Sequence, residues 1–395
     1  MDSINNEQEI PLKTVGALIM NKAELKKSII ACLKEQGFIV EDDNIKLPPD
    51  IDKDKIRELH SVSVHHKREK ASVSLKRKER ELIKYIAKGS EVVPEKIEPR
   101  LVEVTPNSKE ELLFRYASLH WSIPISSGYG RRLRFLVMDS YTEKLIGLIG
   151  LGDPVYSLKA RDVWIGWGQD QKRKRLSYVM DAFVLGAVPP YSYLLCGKLV
   201  AMLAASNEVR KAFTYKYGEK QSLIQKKTHD GRLALITTTS ALGKSSIYNR
   251  LKYKDRLLYH KVGFTKGFGE FHFSNGLYSE IYEYVRKTCQ PTSKHPLWGY
   301  GYRNRREIIS KCLKALGLST DWLNHGVQRE IFVIPLAGNC RGFLQGLDNL
   351  LIEFDQTCDD LFMFFRERWL IPRAERDKYY LSFDPESYML WKKDG

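Results

Sequence analysis

The stretch LSYVMDAFVLGAVPPYSYLLCGKLVAMLAASNEVRKAFTYKYG, residues 176–218, decides the fold. Its first part, residues 176–188, is an apolar run with the length and composition of a buried strand. Pro189 and Pro190 end that strand, because proline has no N–H to continue a hydrogen-bonded ladder. From Tyr193 to Gly218 the apolar residues recur at helical spacing. The stretch therefore predicts a strand, a proline turn and one long amphipathic helix.

The segments on either side of this stretch predict further strands. Residues 131–155 contain two apolar runs joined by a polar turn, which is the pattern of a β-hairpin. After the long helix, residues 232–240 predict a strand, residues 245–253 a short helix, and the glycine-rich residues 261–274 a strand or hairpin. This order of elements predicts an α+β fold with a mixed-sheet core and helical extensions at both ends.

The chain is expected to divide into three regions, because 395 residues exceed the usual size of one hydrophobic core. Residues 1–95 form a basic, mainly helical region. It begins with a helix over Lys22–Lys34 and a hairpin, which either resemble the end of a winged helix or form a simple helical cap. Residues 96–276 form the core, and residues 277–395 form a mainly helical region that contains one extended run.

The composition favours a polyanionic partner. The chain has 64 Lys and Arg against 48 Asp and Glu, a formal net charge of +16, and such an excess favours nucleic acid over a solvated surface without ligand. The sequence lacks the pattern of a secretory signal and an apolar run long enough to cross a membrane, so we expect a cytoplasmic protein with no membrane partner. The six cysteines are scattered, which argues against both a disulfide framework and a zinc site.

The order of elements, with Tyr-x-x-x-Gly-Phe at residues 259–264, resembles the acetyltransferase-like (GNAT) superfamily over roughly residues 130–275. In that superfamily a splayed strand opens onto a helix N-terminus, whose N–H groups hold the pyrophosphate of acyl-CoA. The resemblance implies an acyl-CoA site within residues 187–198, with contacts from Val188, Tyr193, Gly197 and Lys198. It also implies that Tyr259 is the acid that protonates the departing thiolate.

Two departures leave this chemistry open. Only Gly197 remains of the glycine pattern of the superfamily, and the bulk of Tyr193 obstructs a close approach of the backbone to a pyrophosphate. Acetyl-CoA or another acyl-CoA is therefore one candidate cofactor, and the cofactor stays unknown. Tyr259 is either the acid or an ordinary core tyrosine with a satisfied hydroxyl.

Asp181 is the carboxylate that the sequence singles out for catalysis. It lies within an otherwise apolar strand, where a carboxylate is costly unless it is paired or its pKa rises. Asp181 is therefore either salt-bridged, with Arg161 as the candidate partner, or a general base.

Basic segments supply the candidate contacts with nucleic acid. Residues 164–175 combine two tryptophans with four consecutive cations, a pairing that single-stranded or flipped-out bases favour, although two buried tryptophans beside a solvated loop are the alternative. The turn at Gly243 resembles the end of a P-loop, but Thr238 replaces the first glycine of that motif, so the turn suits one DNA phosphate rather than ATP. The expected contacts are Arg131, Arg132, Lys172, Arg173, Lys174, Arg175, Lys244, Ser245 and Arg250.

A set of sequence blocks carries a closer family resemblance. They are GYGRRLRFLVMD (128–139), LIGLIGLGDPVYSLKARDVWIGW (145–167), VMDAFVLGAVPPYSYLLCGKLVA (179–201), TTTSALGKSSIYNRLKY (237–253), GFTKGFGEFHF (263–273), HGVQREIFVIPLAGN (325–339) and RERWLIPRAER (366–376). In this order they resemble the DruA family of the Druantia anti-phage system. The resemblance implies a defence component with other Druantia proteins as partners, and it supplies no catalytic residue.

Three functions follow as alternatives. The first is a defence protein that binds nucleic acid, DNA before RNA, and modifies or senses phage DNA. The second is an acyl-CoA-dependent transferase that acts on the amine of a base or a protein. The third is a non-catalytic scaffold that joins other defence proteins through its helical C-terminal region.

Overall fold

The computed structural model describes residues 20–41, 44–125, 130–219, 221, 228, 230–273, 276–292, 298 and 302–391. The strands are β1 (Ile39–Glu41), β2 (Asn44–Lys46), β3 (Pro99–Glu103), β4 (Arg132–Asp139), β5 (Lys144–Gly152), β6 (Val179–Ala187), β7 (Leu235–Thr239), β8 (Lys252–Tyr253), β9 (Arg256–Leu257), β10 (His260–Phe264) and β11 (Glu330–Pro335). The α-helices are α1 (Lys22–Glu35), α2 (Lys53–Leu75), α3 (Glu79–Leu82), α4 (Lys109–Ser118), α5 (Lys159–Ile165), α6 (Gln169–Arg175), α7 (Cys196–Leu203), α8 (Asn207–Tyr217), α9 (Leu277–Thr288), α10 (Tyr302–Ala315), α11 (Cys340–Gln345), α12 (Cys358–Phe365) and α13 (Ile371–Arg376). None of these helices combines the length and apolar character that crossing a bilayer requires.

The chain divides into two compact units, one of residues 1–49 and 269–325 and the other of residues 50–268 and 326–395. In the first unit, Asn21 caps α1 by accepting hydrogen bonds from the N–H groups of Ala23 and Glu24. Leu25, Ile29 and Leu33 lie on the buried face of α1, and α1 and α10 both pack against α9. The helix and hairpin predicted for the start of this unit are confirmed, whereas the division at residues 95 and 276 stays a prediction.

The second unit is built on a seven-stranded sheet with the order β10-β11-β7-β6-β5-β4-β3. Neighbouring strands are antiparallel except β6 and β7, which are parallel. Val179–Ala182 of β6 pair with residues 235–238 of β7, and beyond Ala182 the register of β6 is with β5. The predicted α+β class with a mixed sheet is confirmed.

Alternate residues of the central strands are buried in two different apolar cores, one on each face of the sheet, because successive side chains of a strand point to opposite faces. Helix α7 covers one face, in the same core as Met180, Ile236 and Phe332. On the other face, α5 and α11 enclose a second core that includes Val179 and Leu235. The central strands are therefore covered on both sides, which explains their continuous apolar runs.

Two of the sequence predictions differ from the structure. The long helix predicted to follow the prolines is divided into α7 and α8, because the Ser206 hydroxyl accepts the N–H of Val209 and starts a new helix there. The short helix predicted over residues 245–253 is a turn, followed by the short strand β8. There the Ser245 hydroxyl accepts the N–H groups of Ile247 and Tyr248, and Arg250 has a φ of 65°, which a helix does not allow.

A buried carboxylate fastens the proline turn to the hairpin of β4 and β5. Asp139 is 1% exposed and accepts hydrogen bonds from the N–H groups of Glu98 (3.0 Å) and Tyr141 (3.1 Å). It also accepts the hydroxyls of Thr142 (2.9 Å) and Tyr191 (2.7 Å). Tyr191 follows the two prolines directly, so this bond positions the segment that leads into α7.

Tyr191→Phe is expected to lower the free energy of unfolding by about 1–3 kcal/mol, because it removes one hydrogen bond from a buried carboxylate. Urea denaturation measures the change. Tyr215→Phe is the matched control, since Tyr215 is 91% exposed, and it should leave the unfolding midpoint unchanged. Equal midpoints for the two variants would contradict the role given to Tyr191.

Candidate functional site

Asp181 lies on β6 between two apolar layers of one sheet face. Val179, two residues before it, belongs to the core beneath α5 and α11, and Val184 belongs to a separate apolar cluster. The partner of Asp181 on β5 is Gly152, which has no side chain, and the register between β5 and β6 shifts immediately afterwards. Asp181 is therefore a polar residue between apolar ones, opposite a glycine and close to a register shift in the sheet. Such shifts often lie next to active sites.

The neighbouring strand holds one oxygen of this carboxylate. Thr237, the partner of Asp181 on β7, donates its hydroxyl to Oδ1 of Asp181 at 2.5 Å. Burial raises the pKa of Asp181 to about 6, although this hydrogen bond and the charges of Arg161 and Arg329 act in the opposite direction. Residue Asp181 is nevertheless half-buried rather than fully buried.

Arg329 is the second unusual group here. It lies just before β11, where its backbone N–H donates to the Thr265 hydroxyl at 3.0 Å. Burial lowers the pKa of Arg329, and the charge of Asp181 opposes that effect. Within the part of the chain that the structure describes, its guanidinium makes no hydrogen bond or ion pair with the protein. We call the surroundings of Asp181, Thr237 and Arg329 the Asp181 recess.

Arg161 also acts on Asp181 by its charge, and its side chain is held by other groups. It is fully buried, and its guanidinium donates to the carbonyls of Val155 and Tyr156 at 2.9 Å each and to the carboxylate of Asp162 at 2.7 Å. The ion pair of Arg161 is therefore with Asp162, and Arg161 acts on Asp181 through its charge alone. This outcome differs from the Arg161–Asp181 salt bridge that the sequence offered as one alternative.

The carboxylate of Asp162 organises the segment between α5 and α6. Besides Arg161, it accepts the ammonium group of Lys172 at 2.7 Å and the indole N–H of Trp167 at 3.1 Å. Burial raises the pKa of Asp162, but the hydrogen bonds from Lys172 and Arg161 outweigh it and hold the pKa below its usual value. Lys172, a predicted nucleic-acid contact, is 4% exposed and has its charge engaged inside the protein.

The other cations predicted near this segment fall into two groups. Arg131 pairs with Asp153 at 2.6 Å and donates to the carbonyls of Ser177 and Val179. Arg132 is half-buried on β4, and Arg175 lies 4.5 Å from the ring centre of Phe343. Arg173 and Lys174 are exposed on α6. These cations therefore do not form one common exposed surface, because Arg131 and Arg175 are engaged with other side chains while Arg173 and Lys174 are exposed.

The turn after β7 presents its cations to solvent. Lys244 and Arg250 are exposed. Ser245 donates its backbone N–H to Glu330 at 2.7 Å, while its hydroxyl accepts hydrogen bonds within the turn. Glu330 also pairs with Lys261 at 2.9 Å. The buried carboxylate of Glu330 therefore fixes the backbone of the turn, while the side chain of Lys244 is exposed.

Tyr259 is fully enclosed. It is 1% exposed, stacks on Tyr248 with 4.7 Å between ring centres, and donates its hydroxyl to the carbonyl of Ala201 at 2.7 Å. Burial raises the pKa of Tyr259 well above its usual value. The predicted acid is thus placed as a hydrogen-bonded core tyrosine against α7, and its catalytic role stays a prediction.

The four predicted acyl-CoA contacts surround the start of α7. Val188 is 1% exposed, and the carbonyl of Tyr193 accepts a hydrogen bond from Arg373 at 3.1 Å. A Cβ atom on Gly197 would lie 3.2 Å from Ile247. The ammonium group of Lys198 lies 5.1 Å from the ring centre of Trp369. Side chains from the turn after β7 and from the C-terminal segment therefore pack around this helix N-terminus.

A cleft that the sequence did not predict lies at the edge strand β10. Its walls are Trp164, Arg256, Leu257, His260, Pro335, Ala337, Gly338, Asn339, Cys340, Arg341, Gly342 and Phe354. Arg341 is 5.6 Å from the ring centre of Trp164, and Arg256 is 3.7 Å from that of Phe354. Only Trp164 was singled out in the sequence, because the other residues come from distant segments that the sheet order brings together. We call this feature the Trp164 cleft.

The two carboxylates beside Arg161 are expected to respond oppositely to removal of their charge. The folded-state pKa of Asp181 is raised, so its ionisation costs stability as pH rises through about 6. Asp181→Asn should therefore raise the thermal unfolding midpoint at pH 8, and the gain should shrink toward pH 4.5. A lower midpoint at pH 8 would mean that the ionised carboxylate is needed for folding.

Asp162→Asn is the matched counterpart. The folded-state pKa of Asp162 is lowered, so the ionised carboxylate contributes stability above its unfolded pKa. This variant should lower the unfolding midpoint at pH 8, and the loss should shrink as pH falls, because protonation removes the same contribution from the unsubstituted protein. The same thermal measurements test both variants, and an equal shift at all pH values would contradict the ion pairs described.

Comparison with known proteins places the chain in a family. A family model described as Druantia protein DruA matches residues 50–346, which include the Asp181 recess and nearly all of the Trp164 cleft. The curated Druantia protein DruA of Escherichia coli (strain UMEA 4076-1) is 38% identical over 379 residues, which cover 94% of this chain and 91% of that relative. No solved structure matches the chain. Two independent matches over most of its length show that this chain belongs to the DruA family.

Proposed function

We propose that the chain is a nucleic-acid-binding component of Druantia anti-phage defence, that DNA is its ligand, and that it works in the cytoplasm with other Druantia proteins. Family membership supports the defence role. The net charge of +16 supports a polyanionic ligand. We propose further that the protein binds unpaired DNA bases, because the Trp164 cleft combines an aromatic ring with cations.

The Trp164 cleft is the observation that carries this proposal. Trp164 is half-buried, which leaves part of its indole ring accessible from the cleft. An aromatic ring with cations beside it is the usual arrangement for unpaired bases, because the base stacks on the ring while the cations attract the flanking phosphates. Arg341 and Arg256 supply those cations, and His260 lies 6.2 Å from Trp164 between ring centres.

The charge of the neighbouring helices extends this cleft. Helix α6 packs against α11, whose second residue is Arg341. Arg173 and Lys174 are exposed on α6, so two of the predicted contacts belong to an element that borders the cleft. We propose that a DNA strand with its base in the cleft runs along α6. Lys244 and Arg250 are proposed as further phosphate contacts, and Arg131, Arg132, Lys172 and Arg175 as residues that hold the segment in place.

A GNAT-like core is the fold that we propose beneath this surface. The central parallel pair of β6 and β7, with β6 leaving its neighbour after Ala182, supports it. The start of α7 is nevertheless packed by Ile247, Arg373 and Trp369. This packing around the helix N-terminus leads us to favour DNA over acyl-CoA as the ligand, and a catalytic role for Tyr259 would require its bond to Ala201 to open.

The scaffold alternative receives less support. Its proposed surface was the helical C-terminal region, which includes α12 and a π-helical turn at Arg366–Leu370. Leu361, Phe365 and Leu370 are fully buried in the main core. Much of that apolar surface therefore packs within the chain itself, although Met363 stays exposed.

Trp164→Ala and Arg341→Gln are each expected to weaken binding to single-stranded DNA by about tenfold, since stacking on an aromatic ring contributes about 1–3 kcal/mol per base. Trp164→Phe keeps a stacking surface and should retain most of the affinity. Arg341→Gln should also reduce the slope of log affinity against log salt by about one. Fluorescence anisotropy with a labelled oligonucleotide across a salt series measures both quantities.

Lys109→Gln is the matched control, because Lys109 is an exposed cation on α4, which packs on the β4 and β5 part of the sheet. It removes the same charge and should change the affinity little. Binding that ignores salt would overturn the proposal. So would an equal loss in Lys109→Gln and Arg341→Gln, because the positive charge would then act without a defined site.

A further inference from the structure

The Asp181 recess is a separate site from the Trp164 cleft. Asp181 pairs with Thr237, Thr237 pairs with Val333, and Val333 pairs with His260 of the cleft. Three strand spacings separate Asp181 from His260, which is roughly 14 Å along the sheet. Helix α5 contributes Arg161 to the recess and Trp164 to the cleft. What the recess binds is therefore a question apart from what the cleft binds.

The recess has an unused donor and an unused acceptor. The guanidinium of Arg329 has no protein partner among the described residues, although burial of a cation without one is costly. Thr237 occupies Oδ1 of Asp181, and within the described structure Oδ2 has no hydrogen-bond partner. Both side chains are half-buried and so reach solvent.

The surrounding charges favour an anion. Arg161 and Arg329 are the charged groups that act on Asp181. Arg161 and Lys172 share the single negative charge of Asp162, and Lys261 is matched by Glu330. The balance is positive when Asp181 is ionised and more so when it is protonated. A protonated Asp181 adds an O–H donor, which an oxyanion accepts and a cation does not.

We propose that the Asp181 recess is a phosphate-binding acid–base site, in which Arg329 binds one oxygen of a phosphate group while Asp181 donates a proton in a hydrogen bond to another. A guanidinium is the donor that matches a tetrahedral oxyanion best, because two of its N–H groups point the same way. Phosphate is the oxyanion whose second pKa, about 6 in phosphate esters, lies close to that of Asp181. Thr237 fixes Oδ1 of Asp181 and leaves Oδ2 for the bound group, so the carboxyl is placed to exchange a proton with a phosphate oxygen.

Inorganic phosphate is the probe that tests this proposal, by isothermal titration calorimetry of the full chain at pH 5.5 and pH 8. The recess should bind phosphate about tenfold more weakly at pH 8, because ionised Asp181 then repels the anion instead of donating to it. A cationic site without the carboxylic acid would show the opposite trend, since phosphate gains charge as pH rises. Sulfate, which accepts hydrogen bonds and carries no proton in this range, should also bind at pH 5.5 and should weaken at pH 8 for the same reason.

Two variants separate the roles of the two residues. Arg329→Gln should abolish phosphate binding at both pH values. Asp181→Asn keeps a donor without the ionisation, so its affinity should no longer fall between pH 5.5 and pH 8. Lys109→Gln is the control, because it removes an exposed cation from α4 and should leave phosphate binding unchanged. If Arg329→Gln does not fold, the pH response of Asp181→Asn decides the matter.

The source of the phosphate is distinguished with oligonucleotides. If the group is the end of a DNA strand, a 5′-phosphorylated oligonucleotide should compete with inorganic phosphate and a 5′-hydroxyl oligonucleotide should not. If it is free phosphate, neither should compete. Absence of phosphate binding at pH 5.5, binding that strengthens with pH, or binding that survives Arg329→Gln would each overturn the proposal. The inorganic phosphate results do not bear on the Trp164 cleft, whose test measures oligonucleotide binding by the Trp164→Ala and Arg341→Gln variants.

Discussion

The pairing of β6 with β7 is the constraint on which the rest of the structure depends. These two strands are the parallel pair at the centre of an otherwise antiparallel sheet, and they pair over only four residues of β6. That short register sets Asp181 opposite Thr237, whose hydroxyl holds the carboxylate. It also directs the rest of β6 toward the proline turn and α7. The negative charge of a carboxylate in this position has to be offset by nearby positive charges or hydrogen bonds, because burial opposes ionisation.

The balance is supplied by helix α5 and its ion pairs. Gly166 ends the helix with a φ of 81°, and the chain then turns so that Trp167 donates its indole N–H back to Asp162. Asp162 in turn fixes Arg161 and Lys172. One short helix therefore carries a buried cation toward the Asp181 recess and an accessible indole toward the Trp164 cleft. Both proposed sites depend on helix α5, so a substitution of Asp162 is expected to affect both of them.

Periodicity in the sequence was sufficient to predict the strands of the central sheet and the hairpin beside them, because alternating and continuous apolar runs record which faces are buried. It could not show that Lys172 turns inward, since a run of cations looks alike whether its members face solvent or a buried carboxylate. Arg329 was missed because β11 enters the sheet between β7 and β10, a pairing between segments far apart in sequence. Asp181 could be predicted because one carboxylate interrupts an apolar strand.

The central claim is that the sheet holds a carboxyl group that is protonated more readily than usual and stays open to a ligand. Its most direct test is a pH titration of the Asp181 carboxyl carbon by NMR of protein labelled with carbon-13 aspartate, with Asp181→Asn to identify the resonance. The structure predicts a midpoint near pH 6, which phosphate shifts when it binds. A midpoint below about 4, the usual value for aspartate, would contradict the account.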